Sequence, residues 1–171
     1  MKKLMLVLII AIVPVLAFAQ FQIGATAVYG GSVSSLTSSS SLSTSDFVFG
    51  LESRLKLWIF QGGVTALYYP EYQSVDLLTD VGLSLNIWFI RIGLGAGPNF
   101  GFDTAGGSDM TDAGWNMKAT VDINIGGLSI GVVGYVFSDN LSDLIQSVAG
   151  SENSPTTLTP ALGVTVLFKI F

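Results

Sequence analysis

A strict two-residue alternation runs through this chain, and it is plainest in FVFGLESRLKLWIF, Phe47 to Phe60. Phe47, Phe49, Leu51, Leu55, Leu57 and Ile59 fill one set of alternate positions, while Glu52, Arg54 and Lys56 fall on the other. A period of two puts successive side chains on opposite faces of a strand, so one face here is oily and the other carries three charges.

The same alternation marks seven further segments. Phe21, Ile23, Ala25, Ala27 and Tyr29 define the first strand, and Val64, Ala66 and Tyr68 the third. Val81 to Phe89 and Ile90 to Ala96 give the fourth and fifth, the latter with Arg91, Gly93, Gly95 and Gly97 on its other face. Trp115 to Ile125 encloses Asn116, Lys118, Thr120, Asp122 and Asn124; Leu128, Ile130 and Val132 form the seventh, and Leu162 to Ile170 the eighth. Short and long connections alternate between them. The short turns fall near Phe60 to Gly63, near Phe89 to Ile90 and at Gly126-Gly127, a pair suited to a two-residue hairpin. The long connections are Gly30 to Ser45, Pro70 to Asp80, Pro98 to Gly114 and Ser138 to Thr157.

Lys2 and Lys3, the apolar run Leu4 to Leu16 and the small-x-small Ala17-Phe18-Ala19 read as a secretory signal peptide over residues 1–19, leaving residues 20–171 as one domain. Half of all residues are hydrophobic. Yet no later stretch is an uninterrupted apolar run of the roughly 20 residues a spanning helix needs. Val81 to Gly97, the nearest, is broken by Ser84, Asn86 and Arg91 and rich in glycine and β-branched residues, which suit strands. The chain has no Cys and no His, so it offers no disulfide, no thiolate site and none of the commonest general base.

A soluble sandwich would alternate in the same way, so the placement of aromatics decides. Phe21, Trp58, Phe60, Trp88, Phe89, Phe168 and Phe171 lie near the short turns and chain ends. Tyr29, Phe47, Phe49, Tyr68, Tyr69, Tyr72, Phe100, Phe102, Trp115, Tyr135 and Phe137 lie near the long loops. Two aromatic girdles around a band of Leu, Ile, Val and Ala are what a transmembrane barrel presents to the two lipid interfaces.

In this pattern the chain resembles the small eight-stranded outer-membrane β-barrels of the OmpX and OmpA transmembrane-domain type, over essentially all of residues 20–171. The resemblance implies an all-β fold, an eight-stranded antiparallel up-and-down transmembrane β-barrel with three short periplasmic turns and four long external loops. It implies the bacterial outer membrane as location, outer-membrane lipid and the barrel insertion machinery as partners, and a monomer. The last strand, ALGVTVLFKIF, supplies Phe168 and Phe171 as the C-terminal insertion signal; Lys169 departs from the family, which places an aromatic or apolar residue there.

With the oily face on lipid, Glu52, Arg54 and Lys56 point into a lumen that eight strands leave only wide enough for side chains. Lys118 and Asp122 point inward by the same phase. Such charges are expected to pair across the barrel, Glu52 with Lys118 and Arg54 or Lys56 with Asp122, and to plug it. Gly93, Gly95 and Gly97 on the inward face of the fifth strand suggest room for water or a thin passage.

Ten of the twelve acids, Asp46, Glu71, Asp76, Asp80, Asp103, Asp109, Asp112, Asp139, Asp143 and Glu152, fall in or at the edge of the long loops, where no base lies. That end is unsuited to nucleic acid. Asp103, Asp109 and Asp112 lack the spacing of a calcium loop, so no metal or cofactor is expected. Ser32 to Ser45 reads as a low-complexity surface loop, and Leu141, Leu144, Ile145 and Val148 as a short amphipathic helix over the barrel mouth.

No constellation suggests catalysis, and the lipid-modifying enzymes and proteases built on such barrels rely mostly on a His this chain lacks. A structural, adhesive or surface-interacting barrel, taking a surface ligand through its loops, is the leading expectation. A narrow channel for small solutes comes second, and a secreted lipocalin-like carrier, which needs a polar exterior, third.

Overall fold

The computed structural model describes residues 19–30, 46–103, 110–148 and 158–171. The expected signal peptide, apart from Ala19, and the Ser/Thr-rich loop lie outside these residues.

Eight strands follow one another: β1 (Ala19–Tyr29), β2 (Phe47–Leu57), β3 (Phe60–Tyr69), β4 (Ser74–Ile87), β5 (Ile90–Asp103), β6 (Met110–Ile125), β7 (Leu128–Ser138) and β8 (Thr159–Lys169). Each pairs antiparallel with its neighbours in sequence, and β1 pairs with β8, so the sheet closes into an up-and-down barrel. Closure satisfies the backbone of every strand and removes both sheet edges.

At one end all three connections are two-residue turns, bracketed by the pairs Leu57–Phe60, Ile87–Ile90 and Ile125–Leu128. The first turn is therefore Trp58-Ile59, two residues earlier than expected. Gly62 and Gly63 lie in the ladder opposite Leu55 and Arg54. The second turn is Trp88-Phe89. Its first residue has φ of 62°, Trp58 has 58° and Gly126 has 62°, the sign that the first central residue of a type II′ hairpin turn requires. A bulky side chain seldom holds that conformation. Both tryptophan rings stand almost free of the barrel, at 76% and 94% exposure.

At the other end the strands extend further than apolar alternation reveals. β4, β5 and β6 run for 14, 14 and 16 residues. The connection expected over Pro70 to Asp80 shrinks to Pro70–Gln73, and Asp80 belongs to β4. Pairing persists there because ladder hydrogen bonds need only backbone, even where Pro98 interrupts β5. Pro98 has no N–H to offer Thr79, and Asn116 Nδ2 supplies that carbonyl from β6 at 3.0 Å. The helix α1 (Leu141–Val148) packs against β6 and β7, with Leu144 buried and Leu141 and Ile145 exposed.

Alternation sorts the side chains as the sequence implies. Ile23, Leu51, Val64, Val81, Leu94, Val121, Val132 and Val164, one from each strand, are exposed on the outside; Thr26, Glu52, Thr65, Ser84, Arg91, Lys118, Ser129 and Thr165 are buried inside. The closing seam depends on Gly24, where an added Cβ would strike the carbonyl oxygen of Val166 on β8. Gly24→Ala is expected to cost about 1–3 kcal/mol by overpacking this seam, read as a lower urea midpoint for unfolding in detergent; an unchanged midpoint would show that β1 and β8 are not so close.

Candidate functional site

Three layers of side chains fill the lumen. Toward the loop end lies an apolar layer of Val28, Leu67, Leu78, Val133, Tyr135 and Ala161, flanked by Val48, Tyr69 and Phe137. These residues occupy the inward phase, normally the polar one. Tyr135 and Phe137, expected in the loop-end girdle, instead stack on each other at 5.6 Å inside the barrel, and Tyr135 is only 1% exposed. Tyr29, on the outward phase of β1, is also buried, edge-on to Phe47.

Below this layer the charges meet. Lys118 Nζ lies 2.5 Å from Glu52 Oε1, and Arg54 donates from Nε to the same oxygen at 2.5 Å and from Nη1 to Asp122 Oδ2 at 2.6 Å. β2 and β6 stand on opposite walls of the barrel, so these contacts tie the walls together across the lumen. Lys56 does not join Asp122; its ammonium donates to Asn86 Oδ1 at 2.7 Å. Of the five lumen charges read from the sequence, four form one knot and Lys56 stands apart.

Sequence reasoning missed a fifth member. Asp80, assigned above to a loop, reaches Lys118 Nζ from β4 at 3.2 Å and is 3% exposed. The signal was available: Asp80 continues the inward phase of Gly82, Ser84 and Asn86. Glycines make the space these carboxylates occupy. A Cβ on Gly63 or Gly95 would collide with the Asp80 carboxylate, and one on Gly131 with Asp122 Oδ1. At the glycines of β5 the space is likewise taken by neighbouring groups. Gly93 faces Thr120 and Gln61, Gly95 faces Asp80, and Gly97 faces the backbone of β4.

Tyr135 roofs the knot. Its ring centroid is 5.7 Å from Lys118 Nζ, and its hydroxyl lies 3.4 Å from Thr65 Oγ1, as does Lys118 Nζ. Asn116 bonds Gly97 O at 2.9 Å and Asn99 Oδ1 at 2.6 Å, clamping the upper lumen. The third layer, near the short turns, holds Gln20, Gln22, Lys56, Asn86 and Arg91.

Phe168 and Phe171, the expected insertion signal, are exposed on the outer surface, and Phe171 stacks on Phe21 at 5.8 Å. Lys169 falls on the inward phase at the short-turn mouth. Of the acids read as lying in or at the edge of the long loops, Asp76 lies on β4, Asp103 ends β5 and Asp112 lies on β6, while Asp143 lies on α1, the helix expected within the last connection. Asp109 and Glu152 lie outside the described residues. Among the described residues, no three acidic side chains are grouped to hold a metal ion, and no helix is long and apolar enough to cross a membrane.

No protein-family model, curated protein or solved structure matches the chain.

The geometry makes the knot a unit. Arg54→Met leaves Glu52 short of one partner and Asp122 without its cation, and is expected to cost about 3–5 kcal/mol in detergent or lipid. A double-mutant cycle on Glu52→Gln and Lys118→Met is expected to give coupling well above the roughly 0.5 kcal/mol of independent sites; additive losses would mean the two groups do not meet.

Proposed function

We propose that this protein is an integral barrel of a bacterial outer membrane, its lumen sealed by the charge knot and the apolar layer above it. Its role is structural, adhesive or surface-interacting, exercised through the loop end. The observation that carries this reading is the inversion of the barrel: exposed aliphatic side chains on the outer face of every strand, buried ions within. Water gives no reason to expose Val81 at 74% and Leu51 at 66% while burying Arg54 and Glu52 at 1%. A lipid exterior does, and strands of 9–11 residues suffice to cross it. A carrier of the lipocalin kind would need the opposite exterior.

Aromatics support the same reading. Trp58, Phe60, Trp88, Phe89, Phe168 and Phe171 form an exposed ring at the short-turn end, and Phe49, Tyr68 and Tyr72 lie toward the other. Such rings settle at lipid headgroups. The resemblance to small outer-membrane barrels puts the short turns in the periplasm and the loops outside. Asp46, Glu71, Asp103, Asp139 and Asp143 then face the exterior, where they repel polyanions and leave cationic or neutral surfaces as partners.

Folded protein is expected to migrate differently before and after boiling in SDS, and to give near-zero current in planar bilayers. Identical mobility with a helical circular dichroism spectrum would overturn the membrane barrel, and a steady ion current would overturn the seal in favour of a narrow solute channel.

A further inference from the structure

Below the knot the lumen changes sign. Lys56 and Arg91 are buried at 6% and 3% exposure, and both donate to one oxygen, Asn86 Oδ1, at 2.7 and 3.2 Å. Arg91 also donates from Nη2 to Gln20 Oε1 at 3.0 Å and from Nη1 to Gln22 Oε1. All of these partners are neutral amides. Asp122 is the cross-strand neighbour of Arg91, but its carboxylate is turned to Arg54. Among the described residues no carboxylate lies within 4.0 Å of Lys56 or Arg91.

The balance of charge makes this arrangement informative. The knot holds three carboxylates, Glu52, Asp80 and Asp122, against two cations, Arg54 and Lys118, and so carries one net negative charge. Lys56 and Arg91 add two positive charges below it with no carboxylate beside them, and Lys169 lies beyond them at the mouth. Two cations drawn out of water and crowded on a shared amide oxygen call for an anion. They also have donors to give it. A guanidinium carries five N–H groups and an ammonium three, and the hydrogen bonds above use three and one of them.

Space and access are present as well. A pocket of about 140 Å³ opens at the short-turn end, lined by Arg91, Lys169, Gln22 and Asn124 among others. Gln20 and Asn86 border both this pocket and the open groove that reaches Lys56.

We propose that Lys56 and Arg91 form an anion site that takes a phosphate group at the short-turn mouth of the barrel. A guanidinium matches two phosphate oxygens with its planar fork, while an ammonium adds a point charge beside it. The phosphate comes either free in solution or on a phospholipid headgroup, since the mouth lies level with the exposed ring of Trp58 and Trp88. The site rests on the barrel fold and its side chains, and stands whether or not the lumen conducts.

The test is calorimetric titration of the folded full-length protein in non-ionic detergent with inorganic phosphate, at constant ionic strength, with sodium chloride as control titrant. A second arm uses mixed micelles containing short-chain phosphatidic acid. Saturable binding of one phosphate per chain is expected, weakened at least tenfold in Arg91→Gln and in Lys56→Gln, with folding checked by mobility before boiling. Binding of free phosphate assigns the site to solutes; binding of phosphatidic acid alone assigns it to headgroups. Gln22→Glu supplies Arg91 with an internal carboxylate and is expected to abolish binding in a barrel that still folds, which keeps the test decisive should a cation-removing variant fail to fold. The proposal is overturned if folded wild type binds neither probe saturably, if chloride gives the same response, or if affinity is unchanged in the variants that fold.

Discussion

Burying ions in a space no wider than a few side chains is the constraint on which the rest of this structure depends. Eight strands leave an interior that side chains can fill, and Arg54, Glu52, Lys118, Asp80 and Asp122 meet there from three walls. The pairs do not make the barrel stable in any simple sense, because desolvation offsets most of the attraction between buried ions. Glu52 Oε2, Arg54 Nη2 and Asp122 Oδ1 also lack hydrogen-bond partners among the described residues. What the knot provides is registry. Slipping β2 or β6 by one residue would turn its ions outward onto the apolar surface and its aliphatics inward.

The layers along the axis follow from that requirement. An apolar layer lies above the knot and lowers the local dielectric on its loop side, which raises the strength of the ion pairs beneath it. The glycines of β3, β5 and β7 make room for carboxylates, so the lumen is filled by matching small residues on one wall to charged residues on another. Charge is sorted as well: acids gather at the loop end, a near-balanced knot sits in the middle, and bases gather at the short turns. A molecule built this way presents different chemistry at the two ends of its barrel.

Much of this was legible in the sequence, because a barrel writes its two faces into every strand at period two. The strand count, the closing order and the pairing of Glu52 with Lys118 follow from phase and from counting along strands. What the sequence hid lies where the periodicity carries no hydrophobic signal. Ser74 to Asp80 reads as polar loop, yet backbone pairing to Tyr69 and beyond holds it as strand and delivers Asp80 to Lys118. Val28, Leu67 and Val133, apolar on the polar phase, were the trace of the inner apolar layer. Trp58 and Trp88 take a backbone conformation expected of glycine, so turn chemistry misplaced the first hairpin by two residues.

The side-chain Nε–H of Arg54, observed by NMR in the barrel reconstituted in lipid nanodiscs, reports most directly on the proposed seal. Held between Glu52 and Asp122 at 1% exposure, this proton is expected to give a sharp signal that exchanges with solvent far more slowly than that of a free arginine. Exchange at the rate of a free arginine, in a barrel shown to be folded in the bilayer, would mean that water fills the lumen and that the charges line a passage.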